Sequence, residues 1–422
     1  MEIGMNATAQ ATTGRRVLIV GGGCAGITTA ATLRKHDPSL AIAIVEPSDL
    51  HWYQPGLTLV GAGIFTREQT ERREQTLIPN GVRWIKQAAA EFLPDRNAVR
   101  LADNSLESYD ILVACPGLKL AWDKVEGLPE SLGRNGVCSN YLPQYAEYTW
   151  DSIKAFRGGT ALFTQPPMPI KCAGAPQKIM YLMADHLRSQ NQLNKATIEF
   201  CLAGDVIFGV PFFVPPLLDA VKDYGINLRY KHNLKAVDGS AKRAVFTVTD
   251  SAGATSDVEK SFDLLHVTPP QTGLDFVRSS PLANAAGWIE VDQGTLQHTR
   301  YPNVFGLGDA TSTPNAKTAA AVRMQVPVVV KNLLAVLKGN RPEATYDGYG
   351  SCPLTVANGK IVLAEFVYGG KVTPSFPLDP RVPRRSMWYL KTKFLPWLYW
   401  NHMFSGGEFD IPHKERSFSK AA

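Results

Sequence analysis

The most constraining feature of this sequence is the run Gly21-Gly22-Gly23-Cys24-Ala25-Gly26. Four apolar residues precede it, Val17-Leu18-Ile19-Val20. They are too few for a helix and suit a parallel strand buried on both faces. An alanine-rich stretch over about 27–35 follows and reads as a helix. Ala41-Ile42-Ala43-Ile44-Val45 reads as a second strand, ending at Glu46. The whole is a βαβ unit. Gly21 suits the tight turn, Gly23 lets backbone approach a pyrophosphate, and Gly26 lets the helix pack close to the strand. Gly22 and Ala25 complete the loop, and the helix N-terminus offers free N–H groups to phosphate. Glu46 lies twenty residues after Gly26, where a carboxylate can accept both ribose hydroxyls. The unit predicts an α/β dinucleotide-binding domain.

Two more stretches narrow the dinucleotide to FAD. Ile111-Leu112-Val113-Ala114-Cys115-Pro116-Gly117 resembles the crossover of two-dinucleotide flavoproteins, with Cys-Pro in place of threonine. Residues 301–310 resemble their second FAD motif. There an aspartate, here Asp309 after Gly308, follows an apolar strand and hydrogen-bonds the ribityl chain. Such proteins usually carry a second glycine loop for a nicotinamide midway along the chain. Residues 197–202 read as the matching strand, followed by Ala203-Gly204-Asp205. The glycine triad is missing there, and Asp205 would turn a negative charge toward a pyrophosphate. A pyridine nucleotide is therefore not expected as electron donor.

The 422 residues allow two or three domains at ~150 residues each. Hydrophobic residues are 45% and charged residues 19%, a globular composition. A net charge of +6 is too mild for a nucleic-acid binder. Further strands are expected at 109–114, 161–164, 244–249, 264–267 and 304–305, with helices at 217–224 and 316–337 and a meander near 97–106. The apolar stretch 318–337 is broken by Arg323 and Lys331, so no membrane span is expected. Residues 1–14 lack an apolar run and any arginine, which disfavours a secretory signal or a mitochondrial presequence.

The six cysteines contain no CxxC pair, and no HExxH or carboxylate cluster occurs, so no metal is expected. Cys172 stands just ahead of a helix predicted over 177–188, with Pro176 in its first turn. The helix start and adjacent Lys171 both favour a thiolate, which suits a redox nucleophile. Cys352, within Ser351-Cys352-Pro353-Leu354, reads by itself as no different from a buried core cysteine. Cys24, Cys115, Cys138 and Cys201 read as structural. His266 reads as a structural histidine ahead of a proton relay.

The stretches Tyr53-Gln54-Pro55, Leu59-Val60-Gly61-Ala62-Gly63, 171–178, Leu265-His266-Val267-Thr268-Pro269-Pro270, 317–322 and 351–354 resemble sulfide:quinone oxidoreductases of the type II, mitochondrial-like group. The resemblance runs from about residue 16 to about 404. It implies a two-cysteine redox site against one flavin face. Cys172 matches the family cysteine facing flavin C4a, and Cys352 the one that receives sulfide sulfur as a persulfide. It further implies that hydrogen sulfide opens a Cys172–Cys352 bridge and that FAD passes two electrons to ubiquinone or a related quinone. The sulfane sulfur goes to a small acceptor, with glutathione, sulfite and other thiols all left open. Gln54, Ala89, Ala114, Gly117, Gly308, Asp309 and Lys317 join the phosphate loop and Glu46 as expected cofactor residues. Lys317 is expected to open a helix and stabilise reduced flavin.

The end of the chain is basic and aromatic. Residues 381–422 hold eight Lys/Arg against three acids, and Trp388, Trp397 and Trp400. Met387, Leu390, Phe394, Trp397 and Leu398 recur at helical spacing, flanked by Arg384, Arg385, Lys391 and Lys393. Pro396 is expected to split the stretch into two short helices. It reads as an interfacial anchor dipping into one leaflet, with its lysines on lipid phosphates. The resemblance places quinone contacts among C-terminal aromatics, here Phe366 and Tyr399.

The expected architecture is α/β with two Rossmann-like domains. A discontinuous FAD domain covers 15–117 and 263–340, and a second Rossmann-like domain without a nicotinamide site covers 118–262. Residues 341–422 form a flavin-capping, quinone-site and membrane-anchor segment. A peripheral protein on the cytoplasmic face of a bacterial inner membrane is expected ahead of a mitochondrial placement, and self-association is left open. A flavocytochrome c-type sulfide dehydrogenase, a type II NADH:quinone reductase and a non-catalytic flavin-binding module remain the alternatives. They are disfavoured in turn by the basic aromatic tail, the broken second glycine loop and the presence of both Cys172 and Cys352.

Overall fold

The computed structural model describes residues 14–409 and 412–418. Asp410 and Lys420 of the basic tail and residues 1–13 lie outside them. Two five-stranded parallel sheets organise the chain. The first runs Val304–Gly306, Ile111–Ala114, Arg16–Val20, Ala41–Val45, Arg83–Ile85 in spatial order. Arg16–Val20 is the central strand, and four of its five residues are buried. The helix Cys24–His36 follows it, and Gly26 permits the contact: a Cβ there would stand 1.8 Å from the Gly21 carbonyl oxygen. The long helix Ala319–Leu337 packs beside it, with Pro327 inside an unbroken helix. That helix alone among the described residues is long and apolar enough to cross a membrane, yet one face is core: Val322, Val326, Val329, Val330 and Leu333 are buried.

The second sheet runs Val137–Cys138, Leu264–His266, Gly159–Gln165, Ala196–Leu202, Asn227–Arg229, again all parallel. Two expectations change here. Leu264–His266 was placed with the first domain, and its ladder to Gly159–Gln165 puts it in the second sheet. The central strand, equivalent to Arg16–Val20, is Gly159–Gln165, not Ala196–Leu202. Ala196–Leu202 occupies the place of Ala41–Val45. Periodicity could not separate these strands, because both are short apolar runs buried on both faces. The position of a nicotinamide phosphate loop is therefore held by Pro166-Pro167-Met168-Pro169-Ile170-Lys171-Cys172, whose three prolines carry no N–H for a phosphate.

The antiparallel hairpin Gly350–Ala357 and Lys360–Phe366 packs on the helix Ala175–Ser189. Strand alternation gives it two faces. Cys352, Leu354, Val362 and Ala364 join the core of the second domain, while Ser351, Pro353, Leu363 and Glu365 line an internal cavity.

The C-terminal segment is one helical run rather than two helices. An α turn Arg385–Tyr389, a π turn Leu390–Phe394, an α turn Leu395–Trp397, a π turn Leu398–His402 and a 3-10 turn Met403–Ser405 follow without a break. Pro396 sits inside this run, between the two π turns, and contributes no N–H to it. The wide turns on either side absorb the change in hydrogen-bond register.

Candidate active site

The loop after Gly159–Gln165 delivers Cys172 in a left-handed backbone conformation, φ 52°. The turn is held on both sides. The Cys172 N–H donates to the Lys317 carbonyl at 2.9 Å, and the Ala175 N–H donates to the Cys172 carbonyl at 2.7 Å. The hairpin brings Cys352 from the other side. The two sulfurs are 3.3 Å apart, although 180 residues separate them in sequence. Gly174 makes this approach possible, since a Cβ there would lie 2.6 Å from the Cys352 sulfur and 2.3 Å from Leu354. At 3.3 Å the two are free cysteines in hydrogen-bond contact, farther apart than a disulfide bond of about 2.05 Å.

The electrostatics of the pair are asymmetric. The hydrogen bond with Cys352 holds the Cys172 thiol well below its ordinary value; burial opposes this, and the Lys178 and Lys391 ammonium groups add to it. The same shared hydrogen bond, with burial, pushes Cys352 well up. The Lys178 contact draws thiolate character to Cys172, and either sulfur can donate the hydrogen bond they share. Lys178 Nζ donates to the Cys172 sulfur at 3.1 Å. Lys171, expected to supply this charge, instead reaches Gln54 Oε1 at 2.5 Å. The helix explains the change: Lys178 is six residues beyond Cys172 and on the buried face of Ala175–Ser189. Lys391 was expected on lipid phosphates. It is buried, donates to the Pro353 carbonyl at 3.3 Å, and burial lowers it to about 7. Both lysines stand against the cysteine pair, and the sequence expectations placed neither there. A lysine inside an otherwise buried helix was the available signal for Lys178; nothing local marked Lys391.

A cavity of about 890 Å3 extends from the phosphate loop to Cys172, with Cys352 behind it on the core face of the hairpin; it is the size of a cofactor site. Gly21, Gly22, Gly23, Ala25, Glu46, Gln54, Gly117, Gly308, Asp309 and Lys317 line it, with Cys172, Lys178 and Lys391. A Cβ on Gly23 or Gly117 would meet nothing within 4 Å, so both backbones face open space. Glu46 Oε2 accepts from the Gly22 N–H at 2.8 Å. Beside it Glu74 Oε1 is buried without a partner among the described residues. Open glycine backbone, an available carboxylate and helix-start N–H groups fit an adenine dinucleotide.

Other expected residues are placed differently. Ala114 and Gly26 are structural parts of the strand and helix behind the loop, and Ala89 starts a meander strand, Ala89–Leu93; none of the three lines the cavity. Lys317 precedes the helix, whose N-cap is Thr318. Its Nζ donates to the carbonyls of Asp309 (2.8 Å) and Thr311 (2.9 Å), and burial lowers it to about 8. Phe366 packs on Phe208 in the second core and does not line the cavity. Tyr399 does line it, and is tied through His51 to Glu74: His51 Nε2 is 2.7 Å from the tyrosine hydroxyl and Nδ1 3.2 Å from Glu74 Oε2. Cys24 also lines the cavity, and burial pushes its thiol up to about 12. His266 is fully buried, and that burial lowers it to about 3, so it stays neutral. Among the described residues no cluster of three His, Cys, Asp or Glu could hold a metal.

Paired Rossmann-like sheets, an FAD-type cavity and a cysteine loop in place of the nicotinamide loop define a two-dinucleotide-binding-domain flavoprotein. No family model matches the chain. It is 42% identical over 92% of its length to the mitochondrial sulfide:quinone oxidoreductase of Mus musculus, covering 86% of that protein. It is 41% identical over 93% of its length to the mitochondrial sulfide:quinone oxidoreductase of Dictyostelium discoideum, again covering 86% of it. Its fold matches the X-ray structure of sulfide:quinone oxidoreductase from Aquifex aeolicus with a TM-score of 0.77 at 20% identity, over 93% of this chain and 92% of that one. The chain belongs to the sulfide:quinone oxidoreductase family. Both curated relatives are named mitochondrial, so the preference for a bacterial inner membrane finds no support in them.

Proposed function

We propose that this chain is an FAD-dependent sulfide:quinone oxidoreductase in which Cys172 and Cys352 carry the sulfide half-reaction. The observation that carries the assignment of the pair is their 3.3 Å separation beside the cofactor cavity, with Lys178 on Cys172. In the oxidised enzyme the two form a bridge. Hydrosulfide attacks the Cys352 sulfur, forming a persulfide there and releasing Cys172 as a thiolate. The Lys178 charge, in contact with the Cys172 sulfur, stabilises that leaving group. A small thiol or sulfite then takes the outer sulfur from Cys352. Reclosure of the bridge releases two electrons and a proton. FAD, held by the phosphate loop, Glu46, Asp309 and Lys317, supplies the two-electron acceptor for that step and the donor to quinone. Two S–S bonds of about 2.05 Å meeting at one inserted sulfur also span about 3.3 Å, which matches the separation of the two sulfurs.

Quinone is confined to the bilayer, and the surface of the C-terminal segment suits it. Leu378, Val382, Tyr389 and Trp397 are 43%, 42%, 63% and 51% exposed, and Arg385 and Lys393 are exposed beside them. Apolar and aromatic side chains between cations form a surface for a lipid interface. Tyr399 and the cavity walls at Phe376, Leu390 and Phe394 would take the quinone ring. Placement is peripheral, on the membrane that holds the quinone pool.

Anaerobic sulfide should bleach the flavin of purified protein, and decylubiquinone should restore it. Cys172→Ser and Cys352→Ser should each abolish bleaching while FAD stays bound. Bleaching by NADH without response to sulfide would overturn the assignment, and an unaffected Cys352→Ser would move the sulfur carrier elsewhere.

A further inference from the structure

Reduction of a quinone to a quinol consumes two electrons and two protons. A reduced flavin carries the electrons and one proton, so the second proton has to reach an apolar chamber through the protein. Resting on the function proposed above, we propose that Glu365 delivers it, with Tyr349 and Ser375 as its positioning residues.

Glu365 stands on the hairpin face that looks into the cavity, and it is 3% exposed. Its Oε1 accepts from the Tyr349 hydroxyl at 2.6 Å and from the Ser375 hydroxyl at 2.6 Å. Its Oε2 accepts from the Ser375 N–H at 3.0 Å. A buried carboxyl group held this way needs a reason to be there, since an apolar residue would cost less. The reason lies in what its two sides touch. Glu365 lines the cavity next to Phe376 and Ser351, and it also lines a small pocket of about 10 Å3 with Pro374, Asp379 and Arg384. It therefore stands between the chamber and a void large enough for about one water. Arg323 and His413 flank the Tyr349 ring at 5.7 and 4.6 Å, and His413 pairs with Asp347 at 2.7 Å. Arg323 and Tyr349 line the same cavity as Glu365.

The step balances. The quinone takes two electrons and one proton from the reduced cofactor. The Glu365 carboxylic acid gives its O–H proton to the second quinone oxygen and becomes a carboxylate. A proton from solvent then restores the carboxylic acid.

The test uses full-length, FAD-loaded Glu365→Gln. Sulfide should bleach its flavin at the wild-type rate. Reoxidation by decylubiquinone should slow by about a hundredfold, while ferricenium, which takes electrons without protons, should reoxidise it at the wild-type rate. Quinone affinity, read by fluorescence quenching, should be unchanged. Tyr349→Phe should show the same split between oxidants with a smaller slowing, and it carries the test if Glu365→Gln does not fold. Equal slowing with both oxidants, or wild-type reoxidation by quinone, would overturn the proposal and leave the sulfide assignment standing. Wild-type protein that sulfide does not bleach would sink the parent assignment, and this role with it.

Discussion

Lys178 shows how the chemistry depends on single charges. It is a buried ammonium whose burial penalty is outweighed by the two neighbouring sulfurs, which raise it above its ordinary value. A charge-assisted hydrogen bond of this kind contributes about 1.5–3 kcal/mol. Lys178→Met should therefore raise the Cys172 thiol toward its ordinary value and slow sulfide-driven bleaching by about ten- to a hundredfold. Stopped-flow bleaching and thiolate absorbance against pH check both. Lys391 has the opposite balance, lowered by burial to about 7. Between that value and the ordinary lysine range the unfolded chain binds a proton that the native one has released. Stability should therefore rise with pH across this window. Denaturant melts from about pH 6 to about pH 9 should show that rise in the wild type and a flatter profile in Lys391→Met. Of these residues, only Cys172 was legible in sequence, through the helix start beside it. The nearer lysine in sequence, Lys171, turns away to Gln54, because side-chain direction on a loop is not a property of spacing.

At the scale of elements, the helical run from Arg385 to Ser405 serves two sides at once. Lys391, Leu398, Tyr399, Met403 and Phe404 are buried toward the cavity and the FAD domain, while Tyr389 and Trp397 face outward. Truncation after Pro383 would remove that core packing together with any anchor. Surface substitutions are the cleaner test. Tyr389→Asp with Trp397→Asp should leave folding and sulfide-driven bleaching intact. It should lower the fraction floating with liposomes by about tenfold or more, since each aromatic contributes over about 1.5 kcal/mol on burial. Unchanged flotation would move the membrane surface elsewhere. The helical period here was readable from the apolar spacing. Its division into an inward and an outward face was not, because both faces carry large apolar side chains. The phosphate loop lies at the other extreme. Its glycines answer to backbone contacts within one βαβ unit, and Gly26→Ala should cost FAD retention outright, as its Cβ would overlap the Gly21 carbonyl.

At the scale of the whole molecule, a repeated sheet order has been put to two uses. The first domain keeps the glycine loop after its central strand, and the second carries Cys172 at the same topological place. NADH should accordingly leave the flavin oxidised under anaerobic conditions that allow complete reduction by sulfide, which absorbance follows directly. The expectation of no nicotinamide loop rested on the missing glycine triad after residues 197–202, although Ala196–Leu202 is not the strand such a loop would follow. Sheet order corrected that, because strand equivalence is a matter of neighbours. The sequence by itself determined the dinucleotide domain, the FAD motifs and one reactive cysteine, each set by contacts within a few tens of residues. The family resemblance named Cys352 as its partner; only the tertiary structure put the two sulfurs 3.3 Å apart, set Lys178 and Lys391 beside them and placed Glu365 on the cavity wall. Those groups meet across long stretches of chain, and no local propensity or period encodes a distance of that kind.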